Sequence, residues 1–171
     1  MKPFKKPLLE KPLPSKRFPR CTYAKGEDTL LSDLVLLGFA KPFSLFVSAE
    51  TSLDTRAVET AAAFFDRADY WNAHCRELLL SFQPGSEEGV LLEEYFKFFR
   101  EEFPKDLGEA TKKELVKRLR FKGMASYERG LKQRLAVDFT LGYHQVLCMK
   151  FDAKHRFADI SWDSRGGQSA F

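Results

Sequence analysis

The three histidines and three cysteines are the residues of this chain most able to bind a metal ion or attack a substrate. His144 and Cys148 lie four residues apart in a stretch that alternates like a β-strand, and four strand residues span about 13 Å. Zinc holds its ligands at about 2 Å and usually takes them from short spacings on turns, so one ion does not reach both side chains of a straight strand. The sequence therefore predicts no metal site and no cofactor.

A cysteine nucleophile would need a partly exposed, electropositive position that stabilises its thiolate. Cys75 lies on the apolar stripe of a predicted helix, and Cys148 lies inside an apolar predicted strand. Both thiols are therefore predicted to be buried and inert, and Cys21 has no neighbouring base. An odd number of widely spaced cysteines also favours reduced thiols in a cytoplasmic protein over a disulfide framework.

The last third of the chain contains three short segments in which apolar and polar residues alternate, which is the period of a β-strand. Turn-like residues separate these segments, so Arg134–Asp163 is predicted to form a three-stranded antiparallel meander with one buried face. Further strands are predicted near 30–37, at 43–47 and at Arg120–Tyr127, although the first of these also fits the start of a helix. The apolar positions of the meander are Leu135, Val137, Phe139, Leu141, Leu147, Met149, Phe151, Ala158, Ile160 and Trp162.

The middle of the chain has the 3.6-residue period of an amphipathic helix. An apolar stripe runs through Ala57–Cys75 after a helix N-cap at Asp54 or Thr55. This helix is predicted either to continue to Leu80 or to break around Asp66–Asp69.

A second helix is predicted from Val90 to Phe103, ending at Pro104, and Thr111 with Glu114 matches a capping box that starts a short third helix. The apolar sector of the second helix is wide, so two partners are expected to cover it. The sheet is one partner; another helix or a second molecule is the other.

With 171 residues, 44% of them hydrophobic and 30% charged, the chain has the composition of one globular domain. No apolar run approaches the roughly 18 residues that span a bilayer, and no apolar segment follows the N-terminal lysines as in a secretion signal. We expect a cytoplasmic α+β two-layer sandwich in which an antiparallel sheet has two to three helices packed on one face. The predicted divisions are a basic proline-rich arm at 1–20, a single α+β domain at 21–164 and a flexible tail at 165–171.

The net charge of +4 is unevenly distributed along the chain. Residues 1–20 contain seven lysines and arginines against Glu10, which gives 7 − 1 = +6 and leaves 4 − 6 = −2 for the remainder. Five prolines in the same stretch forbid a continuous helix. The arm is predicted to solubilise the protein or to lie over the domain; the alternative is contact with nucleic-acid phosphates, which only this arm offers.

The C-terminal segments Val-Asp-Phe-Thr, Val-Leu-Cys-Met-Lys-Phe-Asp and Ile-Ser-Trp-Asp-Ser lie within Leu135–Ser164. They resemble the C-terminal hairpins of a family of small, uncharacterised bacterial two-layer α/β sandwich proteins, some with immunity-protein-like architecture. The order of an upstream hairpin, an alanine-rich helix and a meander is also similar, whereas the helical insert Glu87–Leu119 and the basic arm depart from that pattern. The resemblance transfers no catalytic residue. It implies a non-enzymatic bacterial protein, with binding and neutralising a toxin as one role.

The leading functional prediction is a protein-binding module that uses the second helix, with aromatic residues at the centre of its surface and glutamates at the rim. An acidic surface would suit a basic partner such as a nuclease. The alternative is a small enzyme with a helix–sheet pocket, in which His74 and His144 are the acid/base groups. No catalytic residue is assigned in the leading prediction, and the oligomeric state does not follow from the sequence. The predicted partner-binding residues are Glu93, Glu94, Tyr95, Phe96, Phe99, Glu101 and Glu102.

Overall fold

A computed structural model describes residues 13–17, 22–23, 29–31, 44–48, 51, 54–142 and 145–162. No helix in this part of the chain is both long and apolar enough to cross a membrane. The helices with described bounds are α1 (Thr55–Asp66), α2 (Ala68–Ser81), α3 (Glu87–Glu102), α4 (Pro104–Leu107) and α5 (Lys112–Arg118). The strands are β1 (Thr22–Tyr23), β2 (Thr29–Leu31), β3 (Ser44–Val47), β4 (Arg120–Arg129), β5 (Lys132–Thr140), β6 (Leu147–Asp152) and β7 (Phe157–Trp162).

The seven strands follow one another in chain order within one mixed sheet. Strands β1 and β2, and then β2 and β3, pair antiparallel, whereas β3 pairs parallel with β4 in a register that places Ser44 opposite Gly123. A parallel pair requires a long crossover connection, and all the helices α1 to α5 lie between these two strands. A two-residue turn joins β4 to β5; its residues Gly130 and Leu131 both have positive φ, as a type I′ hairpin requires.

The predicted α+β class is confirmed, with two corrections. The sheet is mixed rather than wholly antiparallel, because β3 and β4 are joined by a helical crossover instead of a turn. The described residues also contain more helices than the two or three predicted. The three predicted C-terminal strands and the strands at Arg120–Tyr127 and 43–47 are confirmed, whereas residues 32–43 lie outside the described part.

The long predicted helix breaks in two, which was one of its two predicted forms. Asp54 caps α1 by accepting hydrogen bonds from the backbone N–H groups of Arg56 and Ala57. The helix ends at Asp66, and the N–H of the C-cap residue Arg67 donates to the Phe64 and Phe65 carbonyls. The predicted capping box also forms, since Thr111 and Glu114 cap the start of α5 reciprocally.

The chain divides into two compact units. Unit 1 consists of Met1–Ala68, Gly123–Ala136 and Phe151–Arg156, and unit 2 consists of Asp69–Lys122, Val137–Lys150 and Phe157–Phe171. The predicted arm is described only at residues 13–17, and the predicted tail at 165–171 lies outside the described residues.

Residues 13–17 belong to unit 1 and contact the end of α1. Leu13 is buried, and the Ser15 hydroxyl donates a hydrogen bond to the Asp66 carboxylate at the end of α1. The backbone N–H groups of Lys16 and Arg17 donate to the same carboxylate at 3.2 and 3.0 Å. This stretch is therefore held at the end of α1, and the roles predicted for the whole arm at 1–20 stay predictions.

A network of buried hydroxyl groups joins β3, β4 and α1 within unit 1. Ser48 and Ser126 lie within hydrogen-bonding distance of Thr51, at 3.1 and 3.3 Å. The Gln133 amide donates to Ser126 Oγ at 2.9 Å and to the Ala57 carbonyl at 2.7 Å. These side chains provide hydrogen-bond partners for one another, as buried polar side chains in a structural role require.

Candidate functional site

The aromatic side of α3 is internal to unit 2. Tyr95, Phe96 and Phe99 are at most 2% exposed. The Tyr95 ring lies 5.0 Å from Phe99 and 5.6 Å from Trp162 of β7 between ring centroids, with both pairs edge to face. The prediction that these three aromatic residues form the centre of a partner surface is therefore wrong. The wide apolar sector is covered by the protein's own residues. The helical period of its aromatic residues therefore marked a face of the core.

The Tyr95 hydroxyl anchors α3 to the segment that follows β5. It donates a hydrogen bond to the Gln145 carbonyl at 3.1 Å and accepts one from the Leu141 N–H at 3.2 Å. Burial raises the pKa of Tyr95 to about 12, so this phenol keeps its proton at physiological pH. A hydroxyl with both bonds occupied positions the backbone and is not available as an acid or base.

The outer side of α3 carries the predicted glutamates, all of them exposed. The helix has six glutamates against one lysine and one arginine, so its net charge is 2 − 6 = −4. Glu93 pairs with Arg100 at 2.6 Å, and Glu101 lies 3.9 Å from Lys97. In the described part of the chain, no basic side chain pairs with the two remaining rim glutamates, Glu94 and Glu102.

The two histidines of the alternative enzyme prediction are placed very differently. His74 is half-buried on α2, where its ring stacks on Tyr70 at 5.3 Å and meets Trp71 edge-on at 5.7 Å. His144 lies outside the described residues. The acid/base pair therefore stays a prediction, and the described contacts of His74 are those of an aromatic cluster.

Two of the three cysteines are free and buried, as predicted. Burial raises the pKa of the Cys75 thiol, and it also raises that of Cys148. Both shifts favour the protonated form, which is a poor nucleophile. Cys21 lies outside the described residues. Within them, no group of three or more histidine, cysteine or acidic side chains is arranged to hold a metal ion.

A second polar feature, missed in the sequence, lies on strands β4 to β7 within unit 2. Asp138 of β5 and Cys148 of β6 lie on neighbouring strands, and burial raises the pKa of both side chains. Lys150, two residues further along β6, pairs with Asp159 of β7 at 3.7 Å. A signal was present, because a lysine between Met149 and Phe151 is a charge inside an apolar strand. We refer to Lys122, Asp138, Cys148, Lys150 and Asp159 as the sheet cluster.

No protein-family model, no curated protein and no solved structure matches this chain. Besides the hydroxyl network of unit 1, the described residues contain the exposed glutamates of α3 and the largely buried sheet cluster.

Proposed function

We propose that this chain is a non-enzymatic protein-binding module that contacts a basic partner through the outer side of α3. The observation that carries this proposal is the pair Glu94 and Glu102, two exposed carboxylates without a basic partner in the described residues, on a helix of net charge −4. An immunity-like role, in which the partner is a basic toxin such as a nuclease, is the specific form of the proposal.

The helix is suited to hold charges in a fixed pattern. Its inner side is locked by buried aromatic residues, and its first turn is capped by Ser86, whose hydroxyl accepts from the Gly89 N–H at 3.0 Å. A helix that is already ordered loses little conformational freedom when a partner binds, so less of the contact energy is lost to ordering. Unpaired surface carboxylates also attract a positively charged partner over distance and raise its association rate.

Charge reversal on this surface tests the proposal. The full chain and a Glu94→Lys/Glu102→Lys variant are used to capture proteins from the native host, and any protein retained by the wild type is purified for affinity measurement. We expect a basic protein whose affinity for the variant is weaker by about tenfold or more, equivalent to roughly 1.4 kcal/mol. The weakening should shrink as salt is added, because salt screens exposed charges.

The matched control makes the same change of net charge elsewhere. Glu59 is exposed on α1 and Glu77 is exposed on α2, so Glu59→Lys/Glu77→Lys alters the total charge equally and leaves α3 intact. Equal loss of binding in both double variants would show that total charge, and not this surface, attracts the partner. Capture of no basic protein by the wild type would refute the proposed function.

A further inference from the structure

The turn between β4 and β5 exposes an apolar side chain completely. Leu131 is 101% exposed, and a Cβ atom built at the neighbouring Gly130 would meet no other atom within 4 Å. Leu131 also has a φ of 63°, in the left-handed region that leucine rarely adopts because its Cβ atom crowds the backbone there. Glycine or asparagine would form the same turn more easily, so the leucine is held in water at a cost to folding.

Cations flank this exposed leucine. Arg129 ends β4 and Lys132 begins β5, so these two exposed residues lie opposite each other across the two-residue turn. Like charges in directly opposed strand positions repel each other. Arg134, which is half-buried, follows two residues further along β5, and no acidic side chain in the described ranges pairs with any of the three cations. We refer to Arg129, Leu131, Lys132 and Arg134 as the hairpin tip.

The exposed leucine, its positive φ and the opposed cations are all unfavourable in water, and one kind of surface would offset them. A leucine that projects from a turn needs an apolar medium that yields around it, and the cations beside it need anions at the edge of that medium. An anionic bilayer offers both, because its acyl chains lie beneath negative headgroups that attract lysine and arginine. A nucleic-acid backbone would satisfy the cations but would leave Leu131 in water.

We propose that the hairpin tip is a peripheral membrane contact, in which Leu131 enters the boundary between the headgroups and acyl chains of an anionic bilayer. Arg129, Lys132 and Arg134 then lie at the level of the negative headgroups. One leucine and three cations give weak, reversible and salt-sensitive attachment, since stable anchoring takes a larger apolar group. The hairpin tip belongs to unit 1 and α3 to unit 2, so this inference is independent of the proposed function.

Flotation of the full chain with vesicles tests the contact. The anionic vesicles contain two parts phosphatidylcholine to one part phosphatidylserine, and the neutral vesicles contain phosphatidylcholine alone and should bind much less protein. Leu131→Gly should weaken partitioning onto anionic vesicles by about tenfold, because it removes the apolar anchor. Glycine adopts this φ freely, so the midpoint of thermal unfolding should stay equal or rise. Arg129→Gln/Lys132→Gln should weaken partitioning by about tenfold or more at low salt.

Exposed positions elsewhere give matched controls. Leu80→Ser on α2 and Lys113→Gln/Lys117→Gln on α5 remove the same kinds of side chain and should leave partitioning close to that of the wild type. Equal weakening by the control lysine variant would show that total charge governs binding. Unchanged partitioning in Leu131→Gly would show that another basic segment, such as residues 1–20, attaches the protein. Either result would overturn the proposal.

Leu131→Trp locates the contact on the molecule. Tryptophan keeps an apolar side chain and favours the boundary of a bilayer, so this variant should bind about as tightly as the wild type. After subtraction of the wild-type spectrum, which contains Trp71 and Trp162, the added fluorescence should shift to shorter wavelength when anionic vesicles are present. An unshifted spectrum from vesicle-bound protein would place the hairpin tip in water and contradict the inference.

Discussion

Arg76 ties α2 to the end of α5 through its side-chain hydrogen bonds. Its guanidinium donates hydrogen bonds to the carbonyls of Val116 and Leu119 at 2.5 and 2.6 Å, and its Nε donates to Asn72 at 3.1 Å. The same group lies 5.2 Å from the centre of the Phe139 ring. The last carbonyls of a helix have no partner within the helix, so this arginine supplies the hydrogen bonds that α5 lacks.

Replacing Arg76 by methionine should therefore destabilise unit 2 strongly. Methionine keeps an apolar stem of similar length but removes both guanidinium donors. The Leu119 carbonyl then loses its described donor, and the Val116 carbonyl keeps only the Leu119 N–H at 3.3 Å. We expect the free energy of unfolding to fall by about 2–4 kcal/mol, since two bonds from a charged donor are lost together. Urea denaturation followed by tryptophan fluorescence measures this change.

The control is Arg118→Met. Arg118 is exposed and makes one described hydrogen bond, to the Asp106 carbonyl at 3.0 Å. Its loss should cost less than about 1 kcal/mol, as surface interactions usually do. Similar losses in the two variants would mean that Arg76 acts only as a surface charge.

Residue roles differed in how far the sequence could predict them. Burial of Cys75 and Cys148 followed from their apolar neighbours. The role of Arg76 depends on carbonyls 40 and 43 residues away, and no local pattern reports contacts at that separation. Asp138 is intermediate, because its place between Val137 and Phe139 marks a charge in an apolar strand but does not identify the groups that face it.

At the scale of elements, local signals predicted well and pairing over long distances did not. The helix caps at Asp54 and Thr111 depend on residues two or three positions apart, and both formed as predicted. The parallel pairing of Ser44 with Gly123 joins strands separated by the helical crossover, and strand alternation does not specify a distant partner or its direction. The wide apolar sector of α3 was recognised, but alternation and helical period do not reveal whether the covering surface belongs to the same molecule.

The contact of α3 with the segment after β5 is closely packed at Gly142. A Cβ atom at this position would lie 2.7 Å from Phe99 Cε1, and Phe99 is itself buried. Because Tyr95 fixes the same segment to α3, neither side can withdraw easily. We expect Gly142→Ala to lower the free energy of unfolding by about 1–3 kcal/mol through overpacking, measured by thermal and urea denaturation.

Gly85, in the turn before α3, is the matched control. No atom lies within 4 Å of a Cβ built there, so Gly85→Ala meets no obstacle. It should be neutral or stabilising by up to about 1 kcal/mol, because alanine restricts the unfolded chain. Equal destabilisation by both substitutions would indicate a general need for glycine rather than close packing against Phe99.

For the whole molecule, several groups make stability depend on pH, and they act in opposite directions. Asp138 has its pKa raised by burial, so its favourable contribution is present at low pH and is lost as the pH rises through about 6. His155 has its pKa lowered by burial and by Arg67, so folding disfavours its protonated form and stability falls as the pH decreases. Asp152, with a lowered pKa, also loses its contribution at low pH. His155 and Asp152 therefore oppose part of the pH dependence that Asp138 alone would give.

The difference between wild type and Asp138→Asn isolates the largest of these contributions. The pKa of Asp138 rises from 3.8 to about 6 on folding, which corresponds to about 3 kcal/mol of lost stability once the pH is well above 6. The variant lacks this loss, so its stability relative to wild type should increase between pH 4 and 8 by an amount of that order. Both tryptophans, Trp71 and Trp162, belong to unit 2 with Asp138, so fluorescence-detected urea unfolding at each pH follows the right part of the chain. A stability difference that is constant over this range would mean that Asp138 is already ionised at pH 4 in the folded protein.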